Sequence, residues 1–509
     1  MRPLKPTIQV HAAIGVAIFG LAAAALPARG QDLPLAQVLP DLVLREIVLQ
    51  RGLIGPPHIA HFSPLSPTGT DPSNPVIGIV QSFNTQMATQ FATFPLGSSS
   101  GGMTYVFDES VGTFRRASAS FGPLFAERAL TIGRRKLNTG FNYQRTSYRT
   151  FEGQRLDNGT IKFYLRHQDC CHFEDPANFT GFTLTPLTGT DRLNPPFKGD
   201  LIEAALSLDA TTHTTAAFAN YGVTDRWDIG LAVPFVRVNL DARVTARIMR
   251  LVTCPAAFNP ALPRDACVAD THTFEYGNAD ATQTVQHSGH ASGLGDVVLR
   301  TKYHVFRAAG GGVAAALDLR LPTGDKDNLL GAGGTQAKLL LVISDERGRF
   351  GHHANIGYTI ARGDVAGTVA GLSAASLPDE INYTGGVEFI ANPRVTMTGD
   401  VVGRTLRGAG RLDLVSKSFE YVDATLNVQG LPGPGCGGLG GPMGGFTCRT
   451  ASFDEFAARP GNLTLLLGTG GVKFNIAGNV LISANVLFPL SKAGLRSRVT
   501  TVIGMDYAF

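Results

Sequence analysis

The last eleven residues of the chain alternate between two kinds of side chain. Residues 499–509 (VTTVIGMDYAF) carry Val, Thr, Ile, Met, Tyr and Phe at odd positions and Thr, Val, Gly, Asp and Ala at even ones. A period of two is that of a β-strand whose two faces meet different surroundings. About ten residues is also the length of one tilted strand that crosses a bilayer. The segment therefore predicts a membrane-crossing strand, with a soluble edge strand as the alternative.

The same alternation recurs upstream, with one apolar face and one face of small and charged residues. It is present in residues 227–235, 353–360, 394–401 and 480–488. Apolar side chains toward lipid and polar side chains toward a lumen are typical of a transmembrane β-barrel. The ending on Phe509, with Tyr507 on the same face, resembles the terminal strand by which bacterial outer-membrane barrels are recognised for assembly. We therefore interpret Tyr507 and Phe509 as an assembly signal.

Composition restricts the alternatives. Charged residues make up 17% of the chain, Gly accounts for 60 of 509 residues, and the mean hydropathy is +0.07. Beyond the N-terminus no run reaches the ~18 apolar residues of a membrane helix. A membrane protein of this kind must satisfy its backbone hydrogen bonds in a closed barrel. The net charge of +4 is spread along the chain, which has a single Trp, and this argues against nucleic-acid binding.

Two N-terminal regions precede the alternating segments. Residues 1–30 combine a basic start (Arg2 and Lys5), an apolar run and a small-residue exit, which predicts a secretory signal peptide. Residues 31–132 contain a short amphipathic helix interrupted at Pro40, then a Pro-rich stretch, then two strand-like pieces around residues 105–107 and 113–117. We predict a hatch that enters or caps the barrel, and a separate periplasmic segment is the alternative.

Connector lengths alternate between short and long along the rest of the chain. Short links are predicted at 222–225, 308–310, 345–349, 392–393 and 477–479. Long links are predicted at 151–199, 246–292, 322–334, 363–379, 409–460 and 491–497. Barrels have short periplasmic turns and long extracellular loops, so residues 133–509 predict a closed antiparallel all-β barrel of about twelve strands (10–14) with both barrel ends periplasmic. The expected location is the cell outer membrane of a diderm bacterium.

Six cysteines fall in the predicted outer loops. Cys254 with Cys267, and Cys436 with Cys448, each enclose a short Pro- or Gly-rich stretch, which in an exported protein indicates a loop-closing disulfide. The vicinal pair Cys170–Cys171 is equally compatible with bonded, free or mispaired thiols. Their spacing to histidines is not that of zinc ligands, so no metal site is expected.

Charged residues on the predicted inner faces are the candidate functional residues. A tight turn at 308–310 places Asp318 opposite Arg300, with Arg320 diagonal to Asp296. Opposite charges at such positions attract across strands by about 0.2–1 kcal/mol per pair. The functional interpretation is a pore constriction, and the alternative is a structural charge ladder. The predicted pore-lining residues are Asp228, Asp296, Arg300, Lys302, His304, Asp318, Arg320, Glu388, Arg394, Asp400 and Arg404.

Three segments resemble an outer-membrane family labelled "putative MetA-pathway of phenol degradation". They are residues 220–235 (NYGVTDRWDIGLAVPF), 293–303 (GLGDVVLRTKY) and 319–325 (LRLPTGD). The resemblance covers roughly residues 200–360 and implies a barrel of the transporter type. It brings no catalytic residue, and its label adds hydrophobic or aromatic molecules as candidate cargo.

Motifs that would indicate a catalytic nucleophile or a phosphate-binding loop are absent from the sequence. Residues 289–293 (GHASG) do not form a nucleophile elbow, and 468–471 lack the Lys-Ser/Thr of a phosphate loop. The leading hypothesis is a passive channel for small molecules that has no enzymatic activity and no cofactor. Its expected partners are outer-membrane lipid, the barrel-assembly machinery and small solutes. A structural or adhesive barrel and a barrel-embedded lipid-modifying enzyme are the alternatives.

Overall fold

The computed structural model describes residues 33–47, 50–51, 65–66, 69–70, 75–92, 97–98, 102–108, 110, 113–166, 200–251, 272–274, 281–308, 310–367, 374–423 and 447–509. The predicted signal peptide lies outside these residues, as do Cys170, Cys171, Cys254, Cys267 and Cys436. Cys448 belongs to a strand, where its backbone is in register with Val422. Both disulfides therefore stay predictions.

Twelve antiparallel strands form the main sheet. They are β6 (Leu137–Phe151), β9 (Asp200–Gly222), β10 (Trp227–Arg250), β13 (Val298–Ala308), β14 (Gly311–Arg320), β15 (Gly334–Arg347), β16 (Phe350–Gly363), β17 (Glu380–Asn392), β18 (Val395–Leu406), β21 (Leu463–Asn475), β22 (Val480–Pro489) and β23 (Leu495–Ala508). Each strand pairs with the next, and β23 pairs back onto β6 from Ala508↔Asn138 to Leu495↔Phe151. The sheet is thus closed, and the predicted twelve-stranded barrel is confirmed.

The barrel begins and ends at one rim. Phe509 donates its backbone N–H to the carbonyl of Leu137 at 2.8 Å, which brings the end of β23 to the start of β6. The same rim carries the short connectors 223–226, 309–310, 348–349, 393–394 and 476–479, and we call it the short-turn rim. The opposite, long-loop rim carries the long connectors. This is the expected arrangement of periplasmic turns and extracellular loops.

An apolar belt surrounds the barrel. Every strand contributes at least one large side chain that is more than a third exposed, for example Phe141, Tyr221, Ile229, Leu299, Leu317, Leu339, Ile356, Val387, Met397, Val472, Ile482 and Ile503. The alternate positions of the same strands are buried and largely polar. A soluble protein does not expose a continuous apolar surface of this extent. The protein is therefore an outer-membrane barrel, as the alternation predicts.

Replacing Leu339 with Arg tests this orientation. Leu339 lies on β15 with 61% of its surface exposed. A cation on the lipid face should destabilise the folded barrel by about 2–4 kcal/mol. The measurement is urea-dependent folding into lipid vesicles. Leu414→Arg is the matched control, because Leu414 is 47% exposed outside the belt strands, where we expect a change within about 0.5 kcal/mol. Equal effects of both variants would contradict the assigned belt.

The barrel wall is taller on one side. β9 has 23 residues and β10 has 24, and their upper parts pair with the shorter strands β8 (Ile161–Arg166) and β12 (Thr282–Leu294). Two regions that we predicted as loops, 151–199 and 246–292, therefore contribute strands to the wall. Polarity inverts in this upper part, where Val236, Val238 and Leu240 are buried inside and Arg237 is exposed outside. The outer face of this upper part meets water and no longer meets lipid, which explains the inversion.

The remaining elements are short. The helical ones are a 3₁₀ turn (Leu35–Gln37), α1 (Val38–Leu44) and α2 (Pro75–Ala92). The remaining strands are β1 (Gln50–Arg51), β2 (Leu65–Ser66), β3 (Gly69–Thr70), β4 (Tyr105–Asp108), β5 (Thr113–Arg116), β7 (Gln154–Arg155), β11 (His272–Thr273), β19 (Arg411–Asp423) and β20 (Thr447–Arg459). Among the described helices none is long and apolar enough to cross a membrane.

Pro40 does not interrupt the first helix, contrary to our prediction. It is the third residue of α1, where a missing N–H costs no intrahelical hydrogen bond. The sequence analysis did not identify α2 at all. Both helices pack inside the tall wall, in one apolar cluster with the inward residues of β9 and β10. The hairpin of β4 and β5 agrees with the strand-like pieces expected there.

Candidate functional site

The described residues between positions 97 and 132 run through the barrel interior, and we call them the lumen segment. It bonds to inward-facing side chains of seven strands. The wall residues involved are Asp228 (β10), Arg300 and Lys302 (β13), Ser344 (β15), Asn355 (β16), Glu388 (β17), Thr396 (β18) and Lys473 (β21). The polar groups of an irregular chain need such partners when they are buried. The inner face of the wall supplies them.

Glu127 is the central charge of the lumen segment. Its carboxylate lies 3.5 Å from Lys302 Nζ and 3.8 Å from Arg300 Nη2. Its backbone is held twice by Asn355, which accepts from the Glu127 N–H at 2.8 Å and donates to the Glu127 carbonyl at 3.0 Å. Glu127 is 6% exposed, and a buried carboxylate of this kind needs a cation beside it. The contact fixes the segment against β13 and β16.

A second buried charge cluster lies nearer the short-turn rim. His353 places Nε2 at 2.6 Å from Asp400 and Nδ1 at 3.3 Å from Glu388. Ser120 of the lumen segment donates its hydroxyl to Glu388. Lys473 donates to the carbonyls of Phe121 and Pro123 at 3.2 and 2.9 Å. This end of the segment is therefore also tied to the wall by charged groups.

A cavity of about 130 Å³ remains above Glu127, and we call it the chamber. Twelve polar or charged residues line it, namely Glu127, Arg300, Asp318, Arg320, Gln336, Lys338, Asn355, Thr359, Glu380, Asn382, Thr384 and Arg404, together with Phe125, Val298, Leu340, Tyr383, Val402 and Gly403. An apolar cavity of ~150 Å³ can hold one benzene ring. The chamber is thus large enough for one small molecule.

The charges of the chamber are paired along its wall. Arg300 makes a bidentate pair with Asp318, at 3.0 and 3.1 Å, and Lys338 lies 3.2 Å from the same carboxylate. Arg404 Nη2 lies 2.5 Å from Glu380. Four cations and three carboxylates line the space, so one positive charge is in excess.

Two of the chamber's arginines also hold the N-terminal chain. Arg300 donates Nη1 to the carbonyl of Gly97 at 2.5 Å. Arg320 donates Nη1 to the carbonyl of Ala92, the last residue of α2, at 3.0 Å. The chain therefore reaches the chamber from α2 and continues below it as the lumen segment.

The structure places most of the predicted pore-lining residues inside the barrel. Arg300, Asp318, Arg320 and Arg404 line the chamber, and Asp318 lies opposite Arg300 as expected. Buried below or beside it are Asp228, Lys302, His304, Glu388 and Asp400. Whether these residues line a conducting pore stays a prediction.

Two predicted residues lie elsewhere. Arg394 was expected on an inner face, but it is exposed in the short turn before β18, because that strand begins one residue later, at Val395. Asp296 is buried, yet it accepts hydrogen bonds from the backbone of Gly324 and Ala332 at 3.0 and 2.8 Å. Asp296 thus anchors the loop between β14 and β15 and does not line the chamber.

Several residues of the site were missed from the sequence. Lys338, Asn355 and His353 occupy inward positions of β15 and β16. The alternation of residues 353–360 placed His353 and Asn355 on the polar face without naming them as site residues, and the strand of Lys338 was not identified. Glu127 and Arg128 lie in a loop without periodicity, so no pattern assigned them to the lumen. They are, however, the only charged residues between positions 117 and 133. The available signal was this neighbouring acid and base in an otherwise uncharged stretch.

The arrangement does not match a serine hydrolase. Ser344 and His353 are register partners on β15 and β16, and both face inward. Both ring nitrogens of His353, however, face carboxylates, which leaves neither to accept a proton from Ser344. Ser344 instead accepts the Ala129 N–H at 3.0 Å. Across the described part of the chain, no group of three His, Cys, Asp or Glu side chains could hold a metal ion.

Comparison with known proteins confirms the family resemblance. The family model described as "Putative MetA-pathway of phenol degradation" matches residues 186–400. No curated protein matches the sequence. Similar solved structures include the COG4313 outer membrane channel from Pseudomonas putida F1, which is 9% identical, with 75% of this chain and 98% of that chain covered and a TM-score of 0.39. A FadL homologue from Pseudomonas aeruginosa is 10% identical, with 82% and 98% covered and a TM-score of 0.28. A chain described as the CymD monoaromatic hydrocarbon channel is 8% identical, with 74% and 89% covered and a TM-score of 0.28.

Proposed function

We propose that the protein is a passive outer-membrane channel for small molecules, and that the lumen segment is its hatch. The observation that carries the proposal is the chamber inside a closed barrel, bounded below by a segment that polar bonds hold to the wall. A segment fixed by hydrogen bonds and ion pairs can exchange them for bonds to water when it moves, which an apolar plug cannot do. Transport is then diffusion along the wall, without a cofactor, an energy source or a chemical step.

The chamber favours small anionic solutes, including aromatic carboxylates. Its excess positive charge attracts an anion, and guanidinium groups suit carboxylates because they donate two parallel hydrogen bonds. Phe125 and Tyr383 add two aromatic side chains to the lining. A purely hydrocarbon solute would lie against seven charged side chains and would make no hydrogen bond to them. Among the aromatic molecules that the family label suggests, the chamber therefore favours those that also bear a negative charge.

Lys338→Glu tests the charge preference. Lys338 is the least buried cation with an ion pair in the chamber, at 30% side-chain exposure, so its replacement should not prevent assembly. Liposomes containing the parent should take up benzoate faster than benzyl alcohol or benzylammonium, three solutes of similar size. A unit charge about 6 Å away changes a barrier by roughly 1–3 kcal/mol, so the variant should lose or reverse this order.

Arg347→Glu is the matched control for that experiment. Arg347 is 83% exposed at the short-turn rim and its change leaves the chamber intact. The same order of uptake in the parent and Lys338→Glu would contradict selection by the chamber. Absence of uptake for all three solutes, in the parent and in variants with a weakened hatch, would instead favour a structural barrel. That second candidate is supported by the dense packing of the lumen segment.

A further inference from the structure

A row of basic side chains crosses the outer wall of the tall side of the barrel. Arg145 on β6 and Arg237 on β10 are both register partners of His213 on β9. Both arginines are exposed, and His213 is half-buried between them. All three occupy outward positions, and neighbouring strands place opposed Cβ atoms about 5 Å apart. We call Arg145, His213 and Arg237 the basic row.

The basic row lies where the apolar belt ends. The next outward residues toward the membrane are Tyr143, Thr215 and Phe235, which are also register partners of one another. The Tyr143 hydroxyl is hydrogen-bonded to His213 Nδ1 at 2.7 Å. Tyrosine in this position is typical of the interface between hydrocarbon and headgroups. The basic row is therefore at the height of the headgroups of the leaflet on the long-loop side.

Among the residues that the structure describes, no carboxylate neutralises the row. Neither Arg145 nor Arg237 forms an ion pair with another residue that the structure describes. The acids on the same face, Asp209 and Asp241, lie four residues further along their strands, or about 13 Å away. That distance exceeds the screening length of ~8 Å at physiological salt. Asp241 is also engaged by Gln286 at 3.3 Å.

We propose that the basic row binds the phosphate of an acylated, phosphorylated lipid in the outer leaflet. Two arginines on either side of a histidine can share one phosphate, each through charge-assisted hydrogen bonds. The acyl chains of the same lipid would lie along Tyr143, Phe235 and the belt below. The two arginines lie on either side of β9, so an anion placed over His213 would be attracted by both charges.

The opposite wall offers a contrast. Arg362 on β16 is also exposed near the long-loop rim, but it pairs with Asp379 at 3.6 Å. The outward position of β18 at that height is occupied by Thr405, which is hydrogen-bonded to Thr464 of β21. At this height β16 and β18 therefore lack the pair of unneutralised arginines that the basic row has.

The test is lipid binding by the purified full-length protein in detergent, measured by native mass spectrometry and titration. The probes are diphosphorylated lipid A, its dephosphorylated form and inorganic phosphate. The parent should retain diphosphorylated lipid A and bind the other two weakly. For the double variant Arg145→Gln/Arg237→Gln the dissociation constant should rise about ten-fold or more. Arg362→Gln is the matched control and should bind like the parent.

Three results would overturn the proposal. The double variant could bind diphosphorylated lipid A as tightly as the parent. The dephosphorylated lipid could bind equally well, which would assign the affinity to the apolar belt. Inorganic phosphate could bind as tightly as the lipid, which would identify a site for a free anion. Folding of each variant is checked by heat-modifiable migration, and Arg145→Lys/Arg237→Lys, which keeps both charges, should retain most of the affinity.

Discussion

Replacing Arg300 and Arg320 together with alanine should open the lumen and raise single-channel conductance. The two side chains donate to the carbonyls of Gly97 and Ala92. The double variant therefore loses one charge-assisted hydrogen bond at each of these two residues. Such bonds contribute about 1.5–3 kcal/mol each. A loss of ~3 kcal/mol shifts the balance between closed and open states by roughly two orders of magnitude. Planar-bilayer recording measures the change directly.

Assembly of the double variant should be largely intact. Without Arg300, Asp318 keeps Lys338 as its partner, and Glu127 keeps Lys302. Lys338→Ala is the matched control, because it removes a chamber cation whose partner, Asp318, is on the wall. The control should alter ion preference with little gain in open time. If the double variant conducts like the parent, these charges are a structural ladder and the hatch is held by other contacts.

Cross-linking the lumen segment to the wall should abolish conduction. Ala129 donates its N–H to Ser344 Oγ at 3.0 Å, so cysteines at these two positions lie close to the ~4.4–6.8 Å Cα separation of a disulfide. In the oxidised Ala129→Cys/Ser344→Cys protein the segment cannot leave the wall. Conductance should fall to the background level, even when Arg300 and Arg320 are also replaced, and reduction should restore it.

The cross-linking experiment distinguishes movement of the hatch from permeation around it. Each single cysteine variant, treated with the same oxidant, controls for oxidation of the native cysteines. Mass spectrometry of the cross-linked peptide reports the oxidised fraction. A fully cross-linked protein that conducts like its reduced form would show that solutes pass without displacement of the segment. The hatch proposal would then be wrong, although a channel would remain.

The sequence was sufficient to predict the part of the fold that faces lipid. Strands such as β22 and β23 show a period of two because each successive side chain meets either hydrocarbon or the lumen. The tall wall was missed for a physical reason. From Val236 onward the apolar residues of β10 turn inward and the charged ones outward, so a search for apolar-out strands reads the segment as a loop.

The candidate site was less predictable, because its lower boundary is an irregular segment and not a strand. Arg300 and Asp318 could be paired from the length of one turn, since a strand pair has only one free parameter, its register. Glu127 belongs to an irregular segment, and its own wall contacts lie 170 or more residues away in the chain, at Lys302 and Asn355. Arg394 shows the limit even on strands, because the strand begins only at Val395 and Arg394 stays in the exposed turn before it.

The path of the lumen segment also bears on how the barrel closes. Its apolar side chains Met103, Phe121 and Leu124 pack on Leu481, Leu487, Val502 and Ala508, which belong to the last two strands of the chain. Its polar groups bond to strands made earlier, from β10 to β21. During biogenesis the segment is synthesised before any of these strands, so the strands can assemble around it. It provides an apolar surface for β22 and β23 beside β6. The closing pairing of β23 with β6 then forms around a lumen that is already occupied.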